Sequence, residues 1–212
     1  MSILFFPVTL SIIIVTVIVS LRAFKDPELK YKWIFYPYKV KRDNESYRIF
    51  SHIFIHADTL HLFFNMFVLY SFGRLMEAHF IIYFGNGFGS LHFFTLYVLG
   101  GLAASIWPFM RNKDNPNYMS LGASGAVASV LFASILWMPD GGIYLLFIPF
   151  EIPAWLFGIL YLFFEYYMSK KGNSNVAHDA HFGGAIFGIL YVLLINFSKG
   201  TAFIEHILKQ IG

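Results

Sequence analysis

The sequence predicts an all-α polytopic membrane protein: a bundle of six transmembrane helices with an interfacial loop between the first and the second. Three observations carry this. Of 212 residues, 58% are hydrophobic and only 13% charged, about half the charged share of an ordinary soluble domain. Apolar runs near the ~20 residues that cross a hydrocarbon core recur along the chain. Polar loops and turn signals separate them.

On that ruler six helices are expected, roughly 3–21, 60–80, 90–109, 121–138, 153–169 and 180–197. The first has no basic region before it and no small-residue cleavage site after it, so it reads as a retained helix and not a signal peptide. Gly85-Asn86-Gly87 and Pro108 bound the third, and Pro139-Asp140-Gly141-Gly142 ends the fourth. Pro149 and Pro153 flank Glu151 and make a stiff entry to the fifth, which Lys170-Lys171-Gly172-Asn173 closes. Little length remains outside these runs, so residues 1–212 are expected to form a single membrane domain.

Segment 22–59 differs from the rest. Arg22, Lys25, Lys30, Lys32, Lys39, Lys41, Arg42 and Arg48 alternate there with Trp33, Phe35, Tyr36, Tyr38 and Tyr47. Aromatics among cations suit a chain lying at the headgroup level. With six spans both termini share one side, and the loops 22–59, 110–119 and 170–179 share the other. Helices two, four and six all start on that loop side. Each start carries polar residues: His61 and Asn65, Ser124, and His181.

Composition also excludes several functions. There are no cysteines, so disulfides and thiolate chemistry are absent. A net charge of +3 with scattered basic residues does not make a nucleic-acid surface. His52, His56 and His61 form a histidine-rich stretch, but it lacks HExxH and any acidic neighbour at ligand spacing, so no metal and no cofactor are expected.

A serine hydroxyl is a weak nucleophile until a base takes its proton, and histidine is the base available near neutral pH. Ser124 sits in Gly122-Ala123-Ser124-Gly125, and small neighbours permit a tight backbone and close helix approach. Helix six offers the matching seam in Gly184-xxx-Gly188. His181, at the head of that seam, is the expected base. His178, three residues earlier, is expected to be exposed or interfacial. Asp179 would point elsewhere on its helix and no other carboxylate is well placed, so a Ser124–His181 dyad is the simplest site. His61 and Asn65, spaced i and i+4, share a helical face. With the Ser124 backbone N–H they could donate to a developing oxyanion, each donor lowering the barrier by ~3–4 kcal/mol. His56 is expected to shape a water-accessible vestibule, and His52 to sit at headgroup level.

This ordered set, His61-xxx-Asn65, Gly122-x-Ser124-Gly125 and Ala180-His181-x-Gly183-Gly184-xxx-Gly188, resembles the rhomboid intramembrane serine proteases. Tyr47-Arg48 before His52 and His56 is similar to the family's loop preceding helix two. The resemblance covers nearly the whole chain and implies a rhomboid-like bundle that cleaves transmembrane segments near the membrane surface. It makes Ser124 the nucleophile, His181 the general base, and His61, Asn65 and Ser124 N–H the oxyanion hole, with Gly122, Gly125, His56, Gly184 and Gly188 in support. Helix five with the loop after it becomes a substrate gate, for whose apolar surface Phe150, Trp155 and Phe157 are candidates. Transmembrane protein substrates and the lipid bilayer are the implied partners, in a bacterial-type plasma membrane. A catalytically inactive relative or a small transporter are the competing readings.

Two features depart from the family pattern. Many members carry an aromatic residue four positions after the nucleophile, stacked on the histidine; here that position is Ala128. And of the 15 Lys and Arg, all but Arg74, Lys199 and Lys209 fall on the site's side, which the positive-inside rule would place in the cytoplasm, whereas the family usually opens away from it.

Overall fold

A computed structural model describes residues 6–144, 149–171 and 176–212. The chain is mostly helical: α1 Pro7–Lys25, α2 Pro27–Trp33, α3 Pro37–Arg42, α4 Arg48–Ser51, α5 Thr59–Val68, α6 Arg74–Phe84, α7 Asn86–Asn112, α8 Ser124–Trp137, α9 Ala154–Lys171, α10 His178–Ile195 and α11 Ser198–Ile211. A π-helical turn, Leu69–Gly73, joins α5 to α6. Gly142–Ile143 (β1) and Ile152–Pro153 (β2) pair antiparallel.

α1 begins at Pro7, whose missing N–H costs nothing at a first helical position. The buried Glu77 of α6 accepts the backbone N–H of Val8 at 2.9 Å and of Thr9 at 2.8 Å, and the Thr9 hydroxyl at 2.7 Å. A carboxylate on orphan N–H groups at the positive end of a helix is a strong cap.

The 22–59 segment is folded, not loose. Arg48 is 2% exposed and donates to the carbonyl oxygens of Tyr31 (2.7 Å) and Ile34 (3.0 Å). Phe35 and Ser120 exchange backbone hydrogen bonds of 2.9 and 3.0 Å, tying this segment to the stretch that leads into α8.

α8 is the central element, with every residue from Gly125 to Trp137 buried. A helix apolar on all sides belongs in a core. α7 and α10 pack on it, and the contacts of α10 are closest. At 14 residues α8 rises only ~21 Å, short of a ~30 Å hydrocarbon core. α1, α7 and α10 are long and apolar enough to cross a membrane, and a bent pair, Arg48–Phe54 with Thr59–Phe84, is a fourth candidate. The expected 121–138 helix therefore loses its first turn, because Leu121, Gly122 and Ala123 run non-helically up to Ser124.

α11 lies beyond the last expected helix. Asn196 leaves helical geometry (φ −156°) and breaks what the apolar count treated as one run to residue 197. The expected start of the first helix at residue 3 lies outside the described residues.

Candidate active site

α8 starts at Ser124 because the three preceding residues are fixed. Gly122 has φ +120°, a conformation that L side chains rarely adopt. A Cβ there would also lie 2.7 Å from His61 Cε1. The Gly122 N–H donates to the His52 carbonyl oxygen at 3.0 Å, and the Ala123 N–H donates to His56 Nε2 at 3.3 Å.

His56 is wholly buried. Since its Nε2 accepts, its proton sits on Nδ1, which donates to Ser20 Oγ at 2.9 Å; Ser20 donates in turn to the Phe54 carbonyl oxygen at 2.8 Å. Burial pushes the His56 pKa down to about 3, so the ring is neutral near pH 7. Instead of lining a wet vestibule, His56 anchors the backbone before the serine. His52, expected at headgroup level, is also buried, with Nε2 3.0 Å from Ser105 Oγ.

The seam between α8 and α10 is nearly backbone against backbone. A Cβ on Gly184 would lie 2.0 Å from the Gly125 carbonyl oxygen and one on Gly188 2.1 Å from that of Ser129, while on the other flank of α8 one on Gly125 would lie 2.4 Å from Ala104 Cβ of α7. No side chain fits there. This approach sets Ser124 Oγ 2.7 Å from His181 Nε2.

Asp58 caps α5 by accepting the His61 N–H at 2.8 Å, which starts the helix so that His61 and Asn65 come one turn apart. Asn65 is buried and donates through Nδ2 to the His61 carbonyl oxygen at 2.9 Å. An amide has two N–H donors, so one is left to aim elsewhere. His61, Asn65, Ser124 and His181 line the same cleft of about 450 Å³. Sequence reasoning named all four.

It did not name Glu165. The expectation that no carboxylate is placed to complete a triad is wrong. Glu165, on α9 and 4% exposed, has Oε1 3.1 Å from His181 Nδ1 and Oε2 2.6 Å from His178 Nδ1. Its signal in the sequence was a lone carboxylate inside an apolar run, a position where an unpaired charge is costly. His178 is correspondingly buried, 7% exposed, not interfacial. Asp179 does face away, its Oδ1 accepting the Ala180 N–H and its Oδ2 3.9 Å from Arg111.

The three gate candidates are not brought to this cleft. Phe150 is exposed beside the β1–β2 pair, and Phe157 packs against Tyr161 with the rings tilted by 37° and their centroids 5.7 Å apart. Trp155 lies ten residues before Glu165, ~15 Å along α9, where it lines a separate apolar cavity of about 620 Å³ with Phe132 and Phe203. Among the described residues, atoms with ligand spacing are found at Glu165, His178 and His181, within 4.8 Å of one another.

The chain is similar to several known proteins. The chain is 31% identical over 148 residues to RHOMBOID-like protein 12, mitochondrial, of Arabidopsis thaliana, covering 62% of this chain and 41% of that protein. It is 30% identical over 141 residues to the human presenilin-associated rhomboid-like protein, mitochondrial, covering 66% of this chain and 35% of that protein. It is 27% identical over 158 residues to the rhomboid protease GlpG of Haemophilus influenzae, covering 74% and 73%. The matched region is thus well under half the length of the two mitochondrial relatives. Their names lend no support to the expected bacterial-type plasma membrane, while an integral membrane protein fits them all. The rhomboid domain model matches residues 43–196, which hold His61, Asn65, Ser124, His181 and the glycine seam, and the chain belongs to the rhomboid family.

Proposed function

We propose that this protein is a serine endopeptidase of the membrane interior, hydrolysing peptide bonds in or near the transmembrane segments of other membrane proteins. The observation that carries the reading is the 2.7 Å contact between Ser124 Oγ and His181 Nε2 at a cleft that also holds His61 and Asn65. The protease named among the relatives supports it.

His181 Nε2 takes the Ser124 proton as Oγ attacks the scissile carbonyl carbon. The negative oxygen of the tetrahedral intermediate is met by His61, Asn65 and the Ser124 N–H. The imidazolium then gives its proton to the leaving amine and an acyl-serine remains. A water deprotonated by His181 hydrolyses that ester and regenerates the serine. The same reading takes α1, α5–α6, α7, α8, α9 and α10 as the six spans. Ser124 and His181 then open on the side where α5, α8 and α10 begin, below the bilayer surface because α8 is short.

Covalent labelling with a fluorophosphonate tests it. The purified protein should be labelled once, at Ser124, and should cleave a transmembrane reporter. Ser124→Ala and His181→Ala should do neither, while unfolding at the same temperature as the parent. Full cleavage by Ser124→Ala would sink the serine mechanism.

A further inference from the structure

Four residues after the nucleophile, one helical turn along α8, stands Ala128. Ala128 is 3% exposed and offers only a methyl group. The ring neighbour recorded for His181 among the described residues is His178, edge-on at 6.2 Å and 76°. Stacking does not hold this base in place. Hydrogen bonding does.

We propose that Glu165 is the positioning residue of this site and that His178 fixes Glu165, making an ordered chain Ser124–His181–Glu165–His178. This rests on the serine-protease reading above. The donor and acceptor roles follow from the carboxylate. An ionised carboxylate only accepts, so each imidazole nitrogen that faces it carries a proton. His181 Nδ1–H donates to Oε1 at 3.1 Å, and His178 Nδ1–H donates to Oε2 at 2.6 Å. With its proton on Nδ1, neutral His181 presents a lone pair at Nε2, where Ser124 Oγ lies at 2.7 Å. The opposite tautomer would place N–H against the serine hydroxyl and could not take its proton. Glu165 thus selects the reactive tautomer and supplies a negative charge beside the ring when it becomes imidazolium.

His178 has its own part in this. A carboxylate as buried as Glu165 needs partners on both oxygens, and one imidazole satisfies only one. His178 and His181 lie three residues apart on one face of α10, so they reach the two oxygens of a single carboxylate from α9. The short 2.6 Å bond from His178 holds Glu165, and Glu165 holds His181. α9 is thereby tied to α10 and into the site by polar contacts. A movement of α9 away from α10 would break the chain and leave His181 free to turn.

The experiment uses full-length protein in detergent micelles, labelled with 15N-histidine, together with kinetics on a transmembrane reporter. In the parent, His181 should show the Nδ1–H tautomer. Glu165→Gln should populate the Nε2–H tautomer and lower kcat at least about 100-fold, on the scale of other triads given the wrong tautomer, with KM within about twofold. Glu165→Asp, which keeps the charge, should recover about tenfold over Glu165→Gln. His178→Ala should lower kcat by about five- to tenfold, since Glu165 keeps the His181 ring and the Tyr161 hydroxyl as partners. An Nε2–H tautomer of His181 in the parent overturns the proposal, even if no Glu165 variant folds. So does an unchanged kcat in Glu165→Gln, or a change confined to KM. Activity lost to a chelator and restored by Zn²⁺ would also overturn it, since the three ligand-spaced groups would then hold a metal. Fluorophosphonate labelling separates the two readings. A parent that is not labelled at Ser124 defeats the protease assignment, whereas a labelled parent with fully active Glu165→Gln defeats only the role of Glu165.

Discussion

Gly184 and Gly125 touch through backbone alone: a Cβ on Gly184 would lie 2.0 Å from the Gly125 carbonyl oxygen. That contact is one residue from Ser124 and three from His181, so the distance between nucleophile and base depends on Gly184 carrying a hydrogen atom where a side chain would normally be. Gly184→Ala must push α10 off α8 or bend it. We expect it to destabilise the protein by about 1–3 kcal/mol and to cut cleavage by more than its fraction unfolded explains. Thermal unfolding and turnover measured on the same sample check this. An alanine variant with parental stability and rate would show that the seam tolerates separation.

Asn65 is expected to act on the transition state. It is buried at the cleft with one N–H committed to the His61 carbonyl oxygen. Removing an oxyanion donor typically costs about 10²–10³ in kcat. Asn65→Ala should therefore lower kcat by that order while KM changes little. Steady-state kinetics with a soluble reporter segment in micelles would reveal a KM-only effect, which would move Asn65 to substrate binding.

Glu77 holds α1 to α6 through three hydrogen bonds to Val8 and Thr9. Glu77→Gln keeps the shape but places an NH₂ where an acceptor is needed, so a buried donor loses its partner. The expected loss is about 1–3 kcal/mol, read from the unfolding midpoint. Because Glu77 is remote from the cleft, the folded variant should retain parental kcat at low temperature.

Acid should loosen the backbone that precedes Ser124. An unfolded histidine takes up a proton near pH 6.5, whereas buried His56 does so only at about 3. Between those values the unfolded state binds more protons, so stability is fully present above about pH 6.5 and falls as the pH drops towards 3. Asp58, whose carboxylate is held below its usual value by the His61 backbone N–H, acts in the same direction at the lower end. The midpoint should therefore decline on acidification, and less steeply in His56→Gln. Equal slopes in both proteins would remove His56 as a cause.

Much of this protein is readable without coordinates. Apolar runs located most of the helices to within a few residues, although α8 is only 14 residues long and the expected 60–80 helix is broken by a π-helical turn. The motifs around His61, Ser124 and His181 could be joined because they begin helices on the same side. Where the sequence reading failed, the contacts were remote. His178 reads as exposed or interfacial because it falls in a polar stretch beside Asp179, and Glu165, a lone carboxylate in an apolar run, is not singled out at all.

The sequence by itself determined the class of fold, the nucleophile and base to test, and the glycines that let two helices meet. Those follow from local rules: apolar length, residue chemistry, and the absence of a side chain. Only the tertiary structure decided what orients His181. Glu165 is 16 residues from it on another helix, and no local pattern marks two oxygens shared between two imidazoles. A hydrogen bond is made or lost within a fraction of an ångström, and that precision comes from packing α8, α9 and α10 together.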